Sequence, residues 1–471
     1  MQKKTKVHFI GINGSGISGV ACIAKQNGFD VDGCDLKCDI NNYTQQLLDN
    51  NIKILSPHNP EHIKDVDIVV LSPALLYKDR YKQIEETRIA METKTTIKWQ
   101  KFLGNYIMKD KNVIAVAGTH GKTTTTTLIS LILEKANFDP TVFVGGVVKE
   151  WGTTYRVGKS DYYVCEGDEY DGNFLDYHPK FVILNNLEME HPERFKDFED
   201  YKNIFKQFLL TVQNNGKIVF NYDDINLRNL ILSMLDNLNE KEIKIIGYTF
   251  NGEISNNSEI KIINVKRGKG KIILNDNIIQ HNLLGEHNAR NIAIATVLAL
   301  ELGVNIKIIQ DLLKNFCGSK RRIDLVFNSD KIKLYDDYAH HHTQIKCTIQ
   351  AIKDNIVDSN NEKIIAILEP HLISRIKNNT KEFVDALLLA DYPIVTKIFK
   401  SRESFMADID VKSLLNNDRI DYIENYNDIL NKIKEIIANN KDQKFDIVVM
   451  GAGNSYKITE QLKNYFTSSR L

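Results

Sequence analysis

The sequence predicts an α/β fold of three domains built on parallel sheets. Three observations carry that reading. Residues 113–117 form an apolar run that enters a glycine turn, Gly118-Thr-His-Gly-Lys-Thr-Thr124, followed by a helical pattern. Residues 7–10 do the same into Gly11-Ile-Asn-Gly-Ser-Gly-Ile-Ser-Gly19. Further apolar runs at 67–71, 181–184, 364–368 and 446–450 each end in glycine or polar residues. Strands of parallel sheets are buried on both faces, so they read as continuous apolar runs, and they present ligand-binding groups at their C-terminal ends. A length of 471 residues suits about three such units. The expected division is 1–105, 106–316 and 317–471.

In the first unit, Gly14, Gly16 and Gly19 have the GxGxxG spacing, and a helix is expected from about Ile17 to Asn27. A second strand, 30–34, ends at Asp35. An acid about twenty residues beyond such a loop holds a ribose hydroxyl in a Rossmann-like unit. With Ser15 in the loop and Ser72 closing a later strand, this unit is expected to bind a nucleotide diphosphate, such as that of a sugar nucleotide. His58 either touches that ligand or is a solvated turn residue.

In the middle unit, the turn at Gly118–Thr124 approaches a P-loop, with Val116 where the leading glycine would stand. Glycines let backbone N–H groups close on phosphate, and the helix N-terminus adds partial positive charge. Lys122 supplies a full charge for the terminal phosphates and Thr123 a hydroxyl for Mg²⁺. The unit is read as P-loop-type, with a parallel sheet that binds ATP. Glu166 follows the apolar strand at 162–165, where an acid holds Mg²⁺ directly or through water. His191, at the end of Leu187-Glu-Met-Glu-His191, is a second metal candidate. Residues 198–209 carry Phe and Tyr at helical spacing, with Lys202 and Lys206 solvated. Residues 242–282 shift to short strands, and Lys266-Arg-Gly-Lys-Gly-Lys271 is a solvated hairpin tip. Asn288 and Asn291 share one helix face, where a side-chain amide matches the donor and acceptor of adenine. Asn288 as a helix cap is the alternative.

The last unit opens on Gly318-Ser-Lys-Arg-Arg-Ile-Asp324, with Arg321 and Arg322 as phosphate candidates. Next comes Asp337, expected near a ribose, and then His340, His341 and His342. Neighbours cannot all face one ion, so one of these histidines is expected to face substrate or phosphate. The strand at 364–368 delivers His371 and Arg375, and Gly451-Ala-Gly453 closes a last strand. The unit is a second Rossmann-like α/β domain.

Composition narrows the partners. Lys and Arg number 61 against 61 Asp and Glu, so bulk charge draws the chain to neither nucleic acid nor membrane. No apolar run reaches the length of a bilayer span. Residues 7–12 are too short for a signal segment and run into a fold motif. The six cysteines are scattered with no CxxC pair or zinc spacing, as reduced cytosolic thiols are.

These motifs, in this order and over almost the whole chain, resemble those of the Mur ligases, ATP-dependent amide ligases of peptidoglycan precursor synthesis. The resemblance implies that Gly14, Ser15, Gly16 and Gly19 bind a UDP-sugar. It implies that Gly118, Thr119, His120, Gly121, Lys122, Thr123 and Thr124 bind ATP, with Asn288, Arg321 or Arg322, and Asp337. Thr123, Glu166 and His191 match the Mg²⁺ ligands, so His191 and Lys122 serve catalysis. His340, His341, His371 and Arg375 match positions of the C-terminal domain, with His341 and Arg375 catalytic. The implied reaction joins L-alanine to the carboxylate of UDP-N-acetylmuramate through an acyl phosphate. The implied setting is a cytoplasmic monomer or homodimer. Glu166-Gly-Asp-Glu-Tyr-Asp171 and Leu372 depart from the alanine-adding pattern. The first is similar to the murein tripeptide ligases, whereas His371 points back to alanine.

Overall fold

The computed structural model describes residues 4–36, 42–252, 258–400, 403 and 410–469. Three sheets succeed one another along the chain. The first holds β1 (Lys6–Ile10), β2 (Asp30–Cys34), β3 (Lys53–Leu55), β4 (Ile68–Leu71) and β5 (Thr95–Lys98), all parallel, in the order β3-β2-β1-β4-β5. The order reverses between β1 and β4, so a crevice opens above their C-terminal ends. Alternation along β1 sorts its side chains. Val7 and Phe9 join the core under helix Ser15–Gln26, while Ile10 joins a smaller cluster on the other face.

The second sheet has ten strands: β6 (Asn112–Ala117), β7 (Thr141–Phe143), β8 (Tyr155–Arg156), β9 (Tyr162–Glu166), β10 (Phe181–Leu184), β11 (Lys217–Asn221), β12 (Lys244–Thr249), β13 (Ile260–Gly268), β14 (Lys271–Leu274) and β15 (Asn277–Gln280). Their order is β15-β14-β13-β12-β11-β10-β6-β9-β7-β8. Pairing is parallel from β13 through to β7 and antiparallel at both edges. The residues at 266–271 form the expected hairpin tip between β13 and β14. Helix Lys122–Lys135 lies on one face and packs Leu128, Ile129 and Ile132 with Ile292 and Leu298 of helix Glu286–Glu301. The opposite face carries helix Phe198–Leu210, whose Asp197 cap accepts from the Asp200 amide at 2.9 Å. Its buried Phe208 stacks on Phe174 at 4.1 Å between ring centres.

The third sheet runs β16 (Asp324–Asn328), β17 (Ile332–Asp337), β18 (Glu362–Leu368), β19 (Tyr392–Val395), β20 (Asp421–Tyr422) and β21 (Lys444–Met450), in the order β16-β17-β21-β18-β19-β20. Only β16 is antiparallel, so this unit repeats the architecture of the first. No described helix is long and apolar enough to cross a membrane.

Specific contacts join the three units. Trp99 meets Phe143 edge-on at 5.4 Å, and Asn50 donates to the Tyr155 hydroxyl at 2.6 Å. Lys149 pairs with Asp324 at 2.7 Å, and Ser319 donates to the Thr127 hydroxyl at 3.2 Å. Gly104 is buried so tightly that a Cβ there would lie 2.1 Å from the Asp176 carbonyl oxygen. Gly104→Ala is therefore expected to cost about 1–3 kcal/mol through overpacking, read as a lower unfolding temperature.

Glu301 ties three adjacent strands together. Its carboxylate takes Lys217 of β11 at 3.3 Å, Lys244 of β12 at 2.9 Å and Lys261 of β13 at 2.6 Å. Burial opposes its ionisation, but the hydrogen bonds from Lys261 and Lys244 outweigh it and hold the carboxyl down to about 2. A depressed carboxyl contributes stability above its unfolded pKa, and that stability is lost as pH falls towards the folded value. Between pH 4.5 and 2 the native protein should thus lose more stability than Glu301→Gln, as thermal unfolding at stepped pH will show.

Candidate active site

The site begins at the turn after β6. Gly118 and Gly121 have φ of +127° and +83°, the region that favours glycine. A Cβ on Gly121 would fall 2.5 Å from Asn291 Oδ1 and 2.8 Å from Asn185 Nδ2. No side chain caps helix Lys122–Lys135, so its first N–H groups face the turn as an anion site. Lys122 Nζ donates to the Gly118 carbonyl at 2.6 Å and to Glu169 Oε2 at 2.9 Å. Burial works against its charge, yet the Glu169 carboxylate raises its pKa overall and keeps it protonated. Glu169 is fully buried and also accepts from the Tyr201 hydroxyl at 3.2 Å. Asn186 Oδ1 accepts from the His120 amide at 2.8 Å, and Asn185 Nδ2 donates to the His120 carbonyl at 3.1 Å. The loop is thereby braced from the end of β10. Thr119 donates to the Glu188 carbonyl at 2.9 Å, and Thr124 lines the adjoining cleft.

That cleft lies between the second and third units. Gly121, Thr124, Asn185, Tyr248, Asn288 and Arg290 line one side, and Arg322, Asp337, Thr343 and Gln344 the other. Asn288 is inside helix Glu286–Glu301, whose cap is Gly285, so the capping alternative does not hold. Its amide donates to the Leu284 carbonyl at 2.9 Å and accepts from Asn291 Nδ2 at 3.3 Å. One donor and one acceptor site remain for a base edge.

The two adjacent arginines separate. Arg322 lines the cleft, and its Nη2 donates to the Thr123 hydroxyl at 3.1 Å. Arg321 turns away to the Gly451 carbonyl at 2.5 Å and the Ser455 hydroxyl at 2.9 Å. Of the two candidates, Arg322 faces the cleft and Arg321, expected in the ATP site, does not line it. The cause is the backbone: Arg321 and Ile323 have φ of +58° and +47°, a strained turn that throws successive side chains apart. Asp337 fastens this turn by accepting from the Ile323 and Ala339 amides, each at 2.6 Å. Burial raises its pKa despite the Arg322 charge.

Glu166 ends β9 beside Thr123 and accepts from the Gly145 amide at 2.6 Å. Burial raises its pKa, opposed by the Gly145 amide and by Arg322 and Lys122. His191, with φ of +58°, has Nδ1 3.4 Å from Glu193 and Nε2 3.6 Å from Glu169 Oε1. Burial would lower its pKa, but Glu193, Glu190 and Glu169 raise it overall. Glu169 thus stands between Lys122 and His191, and sequence reasoning missed it.

A second cleft opens on the first unit. Gly14, Ser15, Gly16 and Ser72 line it together with Trp99, Asp168 and His191. Two residues of the expected sugar-nucleotide set lie elsewhere. Gly19 packs against the second unit, where a Cβ would sit 2.8 Å from Thr154 Oγ1 and 3.0 Å from Phe143. Asp35 spends its carboxylate on the Asn13 amide at 3.0 Å and the Leu36 amide at 2.8 Å. Neither lines the cleft: Gly19 serves helix packing against the second unit, and Asp35 braces the loop.

Glu188 and Glu190 sew the seam to the third unit. Glu188 takes His120 Nε2 at 3.0 Å and the Thr343 hydroxyl at 2.8 Å. Burial resists its charge, but the His120 and Thr343 hydrogen bonds bring its pKa down to about 2. Gln344 Nε2 lies 3.0 Å from His120 Nδ1. Glu190 is buried and paired with Arg375, whose Nη1 is 3.2 Å from His371 Nδ1. His341 Nε2 is 3.6 Å from Glu190, and burial pushes this imidazole down to about 4. The three histidines do not all face one point, although the His341 and His342 rings lie 4.0 Å apart. His340 faces His371 at 5.4 Å, His341 faces His120 at 5.2 Å, and His342 meets Phe383. His120, Glu188 and His341 bring ligand atoms within 4.8 Å of one another, a grouping not read from the sequence.

Three family models match the chain: the Mur ligase family catalytic domain over residues 6–97, the Mur ligase middle domain over 116–299, and the Mur ligase glutamate ligase domain over 321–453. A UDP-N-acetylmuramate–L-alanine ligase of Caldicellulosiruptor bescii is 36% identical over 459 residues, covering 96% of this chain and 97% of its own. One from Sulfurihydrogenibium sp. is 33% identical over 474 residues, covering 99% and 98%. Among solved structures, the UDP-N-acetylmuramate-alanine ligase of Thermotoga maritima aligns with a TM-score of 0.75 at 24% identity, covering 98% of this chain and 99% of that one. At that identity the likeness shows the fold.

Arg375→Ala would leave Glu190 buried without its main partner, which costs about 3–5 kcal/mol. Adding Glu190→Gln should restore part of the loss, as a double-mutant cycle on thermal unfolding will report.

Proposed function

Since the chain belongs to the Mur ligase family, we propose that it joins L-alanine to the muramoyl carboxylate of UDP-N-acetylmuramate at the expense of ATP. The reaction is a step of peptidoglycan precursor synthesis. The observation that carries this reading is the line of charged contacts that links two clefts: Lys122, next to Gly121 of one cleft, pairs with Glu169 at 2.9 Å, and Glu169 lies 3.6 Å from His191, which lines the other. One cleft begins at the Gly14–Gly16 loop and the other at the Gly118–Gly121 turn. A sugar nucleotide in the first would present its carboxylate to the terminal phosphate of ATP in the second.

The chemistry follows from charge. A carboxylate is a poor electrophile, so one of its oxygens first attacks the γ-phosphorus, the bond to ADP breaks, and an acyl phosphate forms. The amine of L-alanine then adds to the acyl carbon, loses a proton and expels inorganic phosphate. Lys122 and Arg322 lie where the migrating phosphoryl group needs positive charge. Asn288 and Asn291 suit the adenine edge, and the Gly118–Thr124 turn suits the triphosphate. Gly14, Ser15, Gly16 and Ser72 suit the UDP-sugar. His341, held neutral above about pH 4, and Arg375 approach Glu190, the neighbour of His191, from the third unit.

The partly buried Glu166 carboxylate, its pKa raised by enclosure and set beside the Thr123 hydroxyl, has the oxygen donors of a hard cation. Thr123, Glu166 and His191 are the residues proposed to hold Mg²⁺. When bound, Mg²⁺ neutralises charge on the phosphates. We place the domain boundaries at 105/106 and 316/317, and the enzyme in the cytoplasm as a monomer or homodimer.

Phosphate release with ATP, Mg²⁺, UDP-N-acetylmuramate and L-alanine tests the substrate. Release that requires L-Ala-γ-D-Glu-meso-diaminopimelate instead of L-alanine would replace this reading with peptide recycling, which the run Glu166-Gly-Asp-Glu-Tyr-Asp171 favours. Lys122→Ala should reduce turnover by at least about 100-fold. Near-native turnover in that variant would remove the phosphate-loop assignment.

A further inference from the structure

A second cluster of ligating side chains lies in the first unit, apart from both clefts. His8 comes from the middle of β1 and Cys34 from the end of β2. His58 lies in the segment after β3, His62 in the 3-10 turn Pro60–Ile63, and Glu86 in helix Glu85–Thr93. These side chains, far apart in sequence, converge on one point. Cys34 Sγ is 3.3 Å from His8 Nε2, 3.0 Å from His58 Nδ1 and 3.1 Å from Glu86 Oε2. Glu86 Oε1 is 3.2 Å from His8 Nε2 and 3.2 Å from His62 Nδ1. One ligand atom each from His8, Cys34, His62 and Glu86 lies within 4.8 Å of the other three.

We propose that His8, Cys34, His62 and Glu86 form a structural zinc site, with His58 as an adjoining donor. Donors held tetrahedrally around zinc at about 2.0–2.3 Å stand about 3.3–3.7 Å from one another. The contacts among His8, Cys34, His62 and Glu86, 3.1–3.3 Å, lie at or just below the lower end of that span, with Cys34 on one oxygen of Glu86 and the imidazoles on the other. Imidazole nitrogen and thiolate select zinc over magnesium or calcium, which take oxygen. An outer carboxylate is also present: Asp32 Oδ1 lies 2.6 Å from His8 Nδ1. That contact orients the ring and turns Nε2 inwards, as the partners of zinc-bound histidines do. The surroundings are dry. His8 and Glu86 have no exposed side-chain surface, and Cys34 belongs to an apolar cluster with Ile10, Ile63, Val69 and Leu71. A carboxylate, a thiol and three imidazoles gathered in such a place need shared positive charge, which protons on the imidazoles or one metal ion can supply. Four protein donors leave no open position, and none of them lines either cleft, so the ion's work is to hold the fold. It would pin β1 and β2 to the Pro60–Ile63 turn and helix Glu85–Thr93. The expectation from sequence of no zinc spacing considered only the cysteines. His58 and His62, four apart, were the available signal.

The full-length protein, purified without chelators from zinc-supplemented cells, should carry about one zinc per chain by plasma mass spectrometry. After exchange with Co²⁺ it should show a thiolate-to-cobalt charge-transfer band. Cys34→Ser should abolish that band, and Cys22→Ser, at a buried thiol outside the cluster, should leave it intact. Should Cys34→Ser not fold, the wild-type spectrum decides alone. Trace metal in the wild type with no band on cobalt titration overturns the site, as does a band that survives Cys34→Ser.

Discussion

A partly buried lysine ammonium is the constraint on which the rest of this molecule depends. Lys122 can stay charged at the base of helix Lys122–Lys135 only because Glu169 answers it from the next strand connection and Gly118 offers a carbonyl. Glu169, fully buried, in turn requires the Tyr201 hydroxyl of helix Phe198–Leu210 and faces His191. The aromatic packing of that helix on the sheet thus serves electrostatics as well as stability. A triphosphate arriving at this turn meets a cation whose position is already set, which is how preorganised sites lower a barrier.

The same economy governs the seam between the second and third units. Glu188 and Glu190 leave one short segment and point into different partners: His120 and Thr343 for the first, Arg375 and His341 for the second. Charge pairs of this kind are specific in direction, so they set the orientation of the two units as well as their contact.

Much of the architecture was legible in the sequence because parallel strands write their burial as unbroken apolar runs. The glycine turns were legible because close approach of Asn185 and Asn291 forbids a Cβ at Gly121. Lys122, Thr123, Glu166 and Asn288 were legible as strand-end or helix-start residues. What stayed hidden depends on which way a side chain turns. Nothing in the order Arg321, Arg322 tells which one enters the cleft, since positive φ at Arg321 and Ile323 decides it. Gly19 and Asp35 fit a loop pattern by spacing, yet tertiary contacts with Phe143, Thr154 and Asn13 claim them. Glu169 sat unnoticed beside Glu166 because an acidic run gives no sign of which carboxylate is buried.

The strained turn at Arg321–Ile323 couples two things that are chemically unrelated. Arg321 is anchored to Gly451 and Ser455 at the heart of the third sheet, while its neighbour reaches across to Thr123 at the head of the phosphate helix. One peptide bond separates the anchor from the reach. A displacement of the third sheet relative to the second would carry the Arg322 guanidinium away from Thr123. The contact between the two units and the charge at the head of that helix thus hang on a single link of backbone.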